Sequence, residues 1–343
     1  MGMIYVKTNK YVLFGHHFAA IAAAGPLLGP VLAAQFGFLP GALWILIGCV
    51  LGGAVHDMVI LFASIRHRGQ SLATIATKEI DPFTGHIAAI AILYILVLSL
   101  SGLSIAVVGA MHDSPWGTFT VFSTIPIAMI MGVWLYYRPD GVFGASLLGV
   151  VLLLLAILAG PYVAESEVLR PWFDLSRNAI AIAVPVYGLA ASLLPIWLLL
   201  CPRDYLSTFL KIGTIAALAL GIVFLRPTLQ MPPLTEFVHG GGPIISGPVF
   251  PFIFTVIACG AVSGFHAIIA SGTTPKMIGD EGEILFVGYG AMLTEGFVAI
   301  MALIAACILG IRSRRLRSQR RDRIILADNC SEVKKAEQAH AEN

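Results

Sequence analysis

The run from Phe14 to Pro30, FGHHFAAIAAAGPLLGP, sets two histidines and two Gly-Pro steps inside a hydrophobic stretch long enough to enter a bilayer. Backbone groups left without partners in hydrocarbon cost several kcal/mol each, so a broken segment at that depth must be buried in protein or line a polar cavity. Each proline lacks an N–H and clashes with the carbonyl four residues earlier. Breaks at Gly25-Pro26 and Gly29-Pro30, one turn apart, therefore predict a discontinuous helix rather than a bend. Its freed carbonyls could face a cation, and the start of the following half-helix a carboxylate.

The rest of the chain agrees that its solvent is lipid. Of 343 residues, 58% are hydrophobic and 12% charged, about half the charged share of soluble domains, and the mean hydropathy is +0.88. The expected fold is all-α, a polytopic transmembrane bundle with discontinuous helices in the manner of inverted-repeat transporters. About nine apolar runs approach the length of a crossing: 11–35, 42–65, 86–111, 118–137, 142–164, 179–200, 207–225, 248–270 and 284–311. Residues 1–311 read as the membrane core and 312–343 as a disordered basic tail. The first run lacks a signal-peptide cleavage pattern and reads as retained. Cys49, Cys201, Cys259, Cys307 and Cys330 are an odd, widely spaced set that suggests neither a disulfide framework nor a metal cluster.

Lys7 and Lys10, then Arg66, Arg68 and Lys78, then Arg203 and Lys211 fall on one side if every run crosses, and that side should be cytoplasmic. Nine crossings would then place the arginine-rich tail, Arg312 to Arg323, outside, against its charge. One segment could be re-entrant, with the first and eighth runs as candidates, or the tail is an atypical ending.

The eighth run, CGAVSGFHAIIASGTTPK from Cys259 to Lys276, echoes the first: setting Gly15 on Gly264 places His17 on His266 and Pro26 on Pro275. Two carboxylates lie deep in apolar sequence, Asp57 and Glu295. A charge at the bilayer centre costs roughly 2.5–3.5 kcal/mol on insertion scales, so both should face the bundle interior or water, binding a coupling cation or carrying a proton. A helix-to-helix hydrogen bond is the plainer alternative. No HxxxH spacing joins His16, His17, His56 or His266, so no metal site is read from the histidines. Gly272-Thr273-Thr274-Pro275-Lys276 lacks the Walker pattern, which argues against nucleotide binding and leaves an ion gradient as the energy source. Arg203-Asp204 reads as a loop ion pair, with Lys211 reaching the same interface.

The segments TNKYVLFGHHFAAIAAAGPLLGPVLAAQFGFLPG, SPWGTFTVFSTIPIA, WLLLCPRDYLSTFLKIGTI, IACGAVSGFHAIIASGTTPKMI and GYGAMLTEGFVAIMALIAAC, in order from about Val6 to Cys307, resemble the carbon starvation protein family of bacterial inner-membrane transporters. That resemblance implies a multi-pass inner-membrane protein, not an enzyme, that takes up peptides or a small carboxylate such as pyruvate during carbon starvation. It implies a proton as coupling ion and no cofactor. Its expected partners are membrane lipid and a small-molecule substrate, with a partner subunit or homo-oligomer as a further possibility and no nucleic acid. It also implies site roles for His17, the break at Gly25, Pro26, Gly29 and Pro30, for Asp57, His266, Ser271, Gly272, Thr273 and Thr274, and for Glu295. Against the family pattern, His56 stands where Gln is usual, and Thr294 and Gly296 flank Glu295 where Met and Ser are usual. Relative to the family, the chain reads as shortened at both ends, so a relative that inserts without transporting, or that assembles with a partner subunit, is the alternative.

Overall fold

The computed structural model describes residues 8–138 and 140–309; the arginine-rich tail, Lys7, Pro139 and Cys330 lie outside the described residues. No strand occurs among the described residues. The first run folds as α1, Lys10–Ile21, and α2, Gly25–Ala33, the two axes bent by 43° at the break. Then come α3 (Phe38–Arg66), the short α4 (Leu72–Glu79), α5 (Pro82–Met111), α6 (Pro115–Tyr137) and α7 (Val142–Glu165). They are followed by α8 (Arg177–Leu193), α9 (Leu200–Leu225), α10 (Val249–Val256), α11 (Gly264–Gly272) and α12 (Glu281–Leu309). Six of these, α3, α5, α6, α7, α9 and α12, are long and apolar enough to cross a membrane, and the bent α1–α2 pair makes a seventh. The other two expected runs are the 17-residue α8 and the α10–α11 pair.

Helix starts follow side-chain chemistry. Asn9, Ser71, Asp81, Ser114 and Ser176 each accept a backbone N–H of the first turn they precede, and Pro82 and Pro115 occupy first-turn positions where the missing N–H is not needed. The same rule corrects the expected double break. Pro26 opens α2, so the chain breaks once, upstream, at 22–24, while Pro30 lies inside α2 and removes a single helical bond.

The broken α1 is the hub. Val12, Leu13, Gly15, His16, His17, Phe18, Ala19 and Ile21 are all buried, and the helix packs against α9, α11 and α12. By contrast, only Gly85 of the 30-residue α5 is buried, and Ile87, Ile90, Leu93, Val97 and Ile105 are exposed. A helix apolar all round with almost no protein cover is suited to lipid.

Small residues let the central backbones meet. An added Cβ at Gly53 of α3 would strike the carbonyl oxygen of Ala261, in the linker between α10 and α11; one at Gly29 of α2 would strike that of Val256. Such close approach is the usual basis of helix packing in membranes, where burial of apolar surface offers no drive. The long connection from α9 to α10 is pinned by buried Gln35. Its amide nitrogen donates to the Ile245 carbonyl at 2.8 Å, and its amide oxygen accepts the N–H groups of Ile244 and Ile245 at 3.2 and 3.0 Å.

Candidate functional site

Three segments carry the central cluster. α3 and α12 each contain a π-helical turn, Gly48–Gly53 and Leu285–Tyr289. Asp57 follows the first and Glu295 the second. The third segment is the unwound stretch 257–263 with the start of α11. There the N–H groups of Ala261 and Val262 turn back to the carbonyl of Ala258, and helix resumes at Gly264, two residues before His266.

Asp57, His266 and Glu295 are each 0% exposed. His266 Nδ1 is 3.0 Å from Asp57 Oδ2, and its Nε2 is 3.2 Å from Glu295 Oε2 and 3.5 Å from Cys259 Sγ. The other Asp57 oxygen meets His56 Nδ1 at 2.9 Å. Among the described residues neither Glu295 oxygen finds a well-aligned hydrogen-bond partner, so its contact with His266 is an ion-pair approach. An imidazole thus bridges the two deep carboxylates, which come from positions too far apart in sequence for any spacing to link them.

His17 takes a neighbouring position. Its Nδ1 lies 2.8 Å from Thr274 Oγ1, and both residues are 0% exposed. The correspondence between the two histidine segments extends to their helical breaks: Pro26 opens α2 after α1 ends, and Pro275 opens the 3-10 turn Thr274–Lys276 after α11 ends. The remaining expected site residues are divided. Gly25 abuts Cys259, beside the cluster, whereas Gly29 meets the backbone of α10. Pro26 and Pro30 are buried in α2. Ser271 turns its hydroxyl onto the Ala267 carbonyl of its own helix at 2.7 Å. Gly272 and Thr273 form the junction after α11, where the Thr273 carbonyl accepts the Lys276 N–H at 3.1 Å.

The expected Arg203–Asp204 loop pair is not formed. Pro202 falls in the first turn of α9, where proline is tolerated, so helix continues through both residues and they point apart. Asp204 Oδ2 approaches buried His16 Nδ1 at 2.9 Å. Arg203 lies over the Tyr187 ring and donates to Thr124 Oγ1 at 3.4 Å. Lys211 is not an interfacial snorkel either. The break leaves the Ala19 carbonyl without its helical partner, because the Ala23 N–H turns to Ile21 instead, and Lys211 Nζ donates to that carbonyl at 2.8 Å. A lysine ammonium therefore sits where the broken helix exposes its negative end. Sequence reasoning missed Lys211, Cys259 and the His16–Asp204 pair as parts of this interior. For Lys211 a signal existed, since it is the lone cation of the apolar run 207–225.

Comparison with known proteins places these features in a family. The family model described as carbon starvation protein CstA matches residues 1–319. The peptide transporter CstA of Escherichia coli K12 is 56% identical over 309 residues, covering 90% of this chain and 44% of that protein. The pyruvate/proton symporter BtsT of the same organism is 53% identical over 309 residues, covering 90% and 43%. Peptide transporter CstA of Bacillus subtilis 168 is 53% identical, covering 90% and 51%. The chain thus spans about half the length of the curated relatives it matches. No solved structure matches it. With a family match over all of its described residues and relatives more than half identical, the chain belongs to the carbon starvation protein CstA family.

Proposed function

We propose that this chain forms the membrane core of a proton-coupled secondary transporter in the bacterial inner membrane, importing short peptides or a small carboxylate such as pyruvate when carbon is scarce. The observation that carries the reading is the fully buried bridge from Asp57 through His266 to Glu295. Two carboxylates and an imidazolium carry one net negative charge, and one further proton makes the group neutral. Only the neutral form is inexpensive to enclose away from water. Proton uptake therefore favours closure of the helices around the cluster, and proton loss favours reopening it to solvent. The relatives' names, a peptide transporter and a pyruvate/proton symporter, supply the substrate classes and the ion. They speak for transport rather than catalysis.

A second reading is a core that inserts but moves substrate only with a partner chain, which would then take the place of lipid along the uncovered apolar surface of α5. One experiment separates the two. Uptake of labelled pyruvate and a labelled dipeptide is followed in proteoliposomes, with and without an imposed pH gradient. Gradient-driven accumulation that is abolished by Glu295→Gln, with insertion unchanged, is the result expected of a complete transporter. No uptake by well-inserted protein overturns that reading in favour of the partner-dependent core.

A further inference from the structure

The face of the cluster turned away from Asp57 has its own chemistry. Cys259 Sγ, a ring nitrogen of His266 and a carboxylate oxygen of Glu295 lie within 4.8 Å of one another. We propose that these three groups form a binding site for a borderline-soft d10 cation, Zn²⁺, with the fourth position left to water. This inference stands on the geometry of the ligand atoms and does not depend on the chain being a transporter.

Three observations carry it. The first is distance. A tetrahedral Zn²⁺ with Zn–S of about 2.3 Å and Zn–N of about 2.0–2.1 Å sets sulfur and nitrogen about 3.5 Å apart, and nitrogen and a carboxylate oxygen about 3.3 Å apart. The observed separations are 3.5 and 3.2 Å. The remaining edge, from sulfur to carboxylate, is within 4.8 Å, against about 3.6 Å in a tetrahedral site, and rotation of the Cys259 or Glu295 side chain closes the difference when the ion binds.

The second is an unmet need. Glu295 is 0% exposed, and among the described residues both of its oxygens lack an aligned hydrogen-bond donor. A buried carboxylate in that condition calls for a water or an ion. His266 supplies only one nearby ring nitrogen, and that nitrogen is shared with the Cys259 sulfur.

The third is the support behind the ligand. Asp57 accepts from His266 Nδ1 at 3.0 Å, which orients the ring so that Nε2, once it gives up its proton to solvent on metal binding, presents its lone pair to Cys259 and Glu295. Carboxylate behind imidazole is the usual outer layer of a histidine metal ligand. One sulfur, one nitrogen and one oxygen disfavour Ca²⁺ and Mg²⁺, which take six or more oxygens, and suit Zn²⁺. The histidine spacing in the sequence gives no hint of this set, because its ligands come from the unwound linker, from α11 and from α12.

The test is a Co²⁺ titration of the purified full chain in detergent, in metal-free buffer, with Zn²⁺ as competitor. A thiolate-to-cobalt charge-transfer band that saturates at one equivalent and is erased by Zn²⁺ is expected. Cys259→Ser should remove the band, while Cys307→Ser, three turns beyond Glu295 on α12, should leave it. Asp57→Asn should weaken binding roughly 10- to 100-fold. Absence of the band from monodisperse wild-type protein, or its persistence in Cys259→Ser, overturns the proposal. If Cys259→Ser aggregates, protection of Cys259 from maleimide by Zn²⁺, read by mass spectrometry, takes its place, and unaltered labelling is the overturning result.

Discussion

Asp57 Oδ2 and His266 Nδ1 lie 3.0 Å apart although 209 positions separate the two residues. Both are closed off from solvent, whereas His56, on the other oxygen of the same carboxylate, keeps about a third of its side chain exposed. The two contacts should therefore differ in weight.

Asp57→Ala is expected to destabilise the protein by about 1–3 kcal/mol, because it strands a buried ring nitrogen. His56→Ala should cost well under 1 kcal/mol, since water can replace the exposed partner. Thermal unfolding of the two variants in one detergent measures the difference, and equal losses would show that the buried bridge carries no special weight.

Lys211 offers a separate test. Its ammonium satisfies the Ala19 carbonyl at the end of α1. Lys211→Met keeps the apolar stem and removes the donor, which should cost about 1–3 kcal/mol. Because the freed carbonyl lies beside the break, faster hydrogen exchange is expected at 22–24 and not in α6 or α7. Uniform loosening would contradict the assignment.

The close approaches of backbone make opposite predictions for two kinds of glycine. Gly53→Ala and Gly29→Ala each press a methyl group onto a carbonyl oxygen and should cost about 1–3 kcal/mol. Gly102 and Gly188 have nothing within 4 Å of an added Cβ, and both sit inside helices. Alanine there should stabilise by about 0.5–1 kcal/mol. Melting temperatures that move the same way for both pairs would refute the packing argument.

How much of this was legible beforehand depended on the kind of signal. Apolar runs show directly as helices, and the Gly-Pro steps showed that the first run breaks. They misplaced the break, because a proline in the first turn costs a helix nothing and so marks a start rather than a gap. Asp57, His266 and Glu295 stood out as polar residues in apolar sequence. Their bridge did not, since no spacing along a chain records a meeting of three segments. Cys259 belongs to a widely spaced cysteine set with no ligand spacing, and only the unwound linker brings it beside His266. Arg203 and Asp204 were misread because adjacent opposite charges suggest a pair, whereas neighbours on a helix point about 100° apart.

Outside the membrane helices, pH should act at the turn between α3 and α4. His67 Nε2 lies 2.8 Å from Glu79 Oε1. The hydrogen bond that His67 donates to Glu79, helped by the one to the carbonyl of Ala63, raises the imidazole above its ordinary value of 6.5. A raised value in the folded state means that the stabilisation is fully present below pH 6.5 and fades as pH rises through the folded value. Titration of His67 by NMR should show the upward shift, with Glu79→Gln bringing it down. An unchanged midpoint in that variant would assign the shift to other neighbours.

The π-helical turns of α3 and α12 give the site a property that its distances do not express. Each turn holds one residue more than α-helical pitch requires, and Asp57 and Glu295 lie downstream of theirs. Returning either turn to α pitch would rotate everything after it by about 100° and advance it by about 1.5 Å. Gly288, in the turn of α12, rests against the backbone of Met58, next to Asp57, so a slip in one helix is felt at once by the other. The two carboxylates are thus mounted on a pair of meshed screws, and a single-residue change of register would carry an acid from one face of the bundle to another without unfolding a helix.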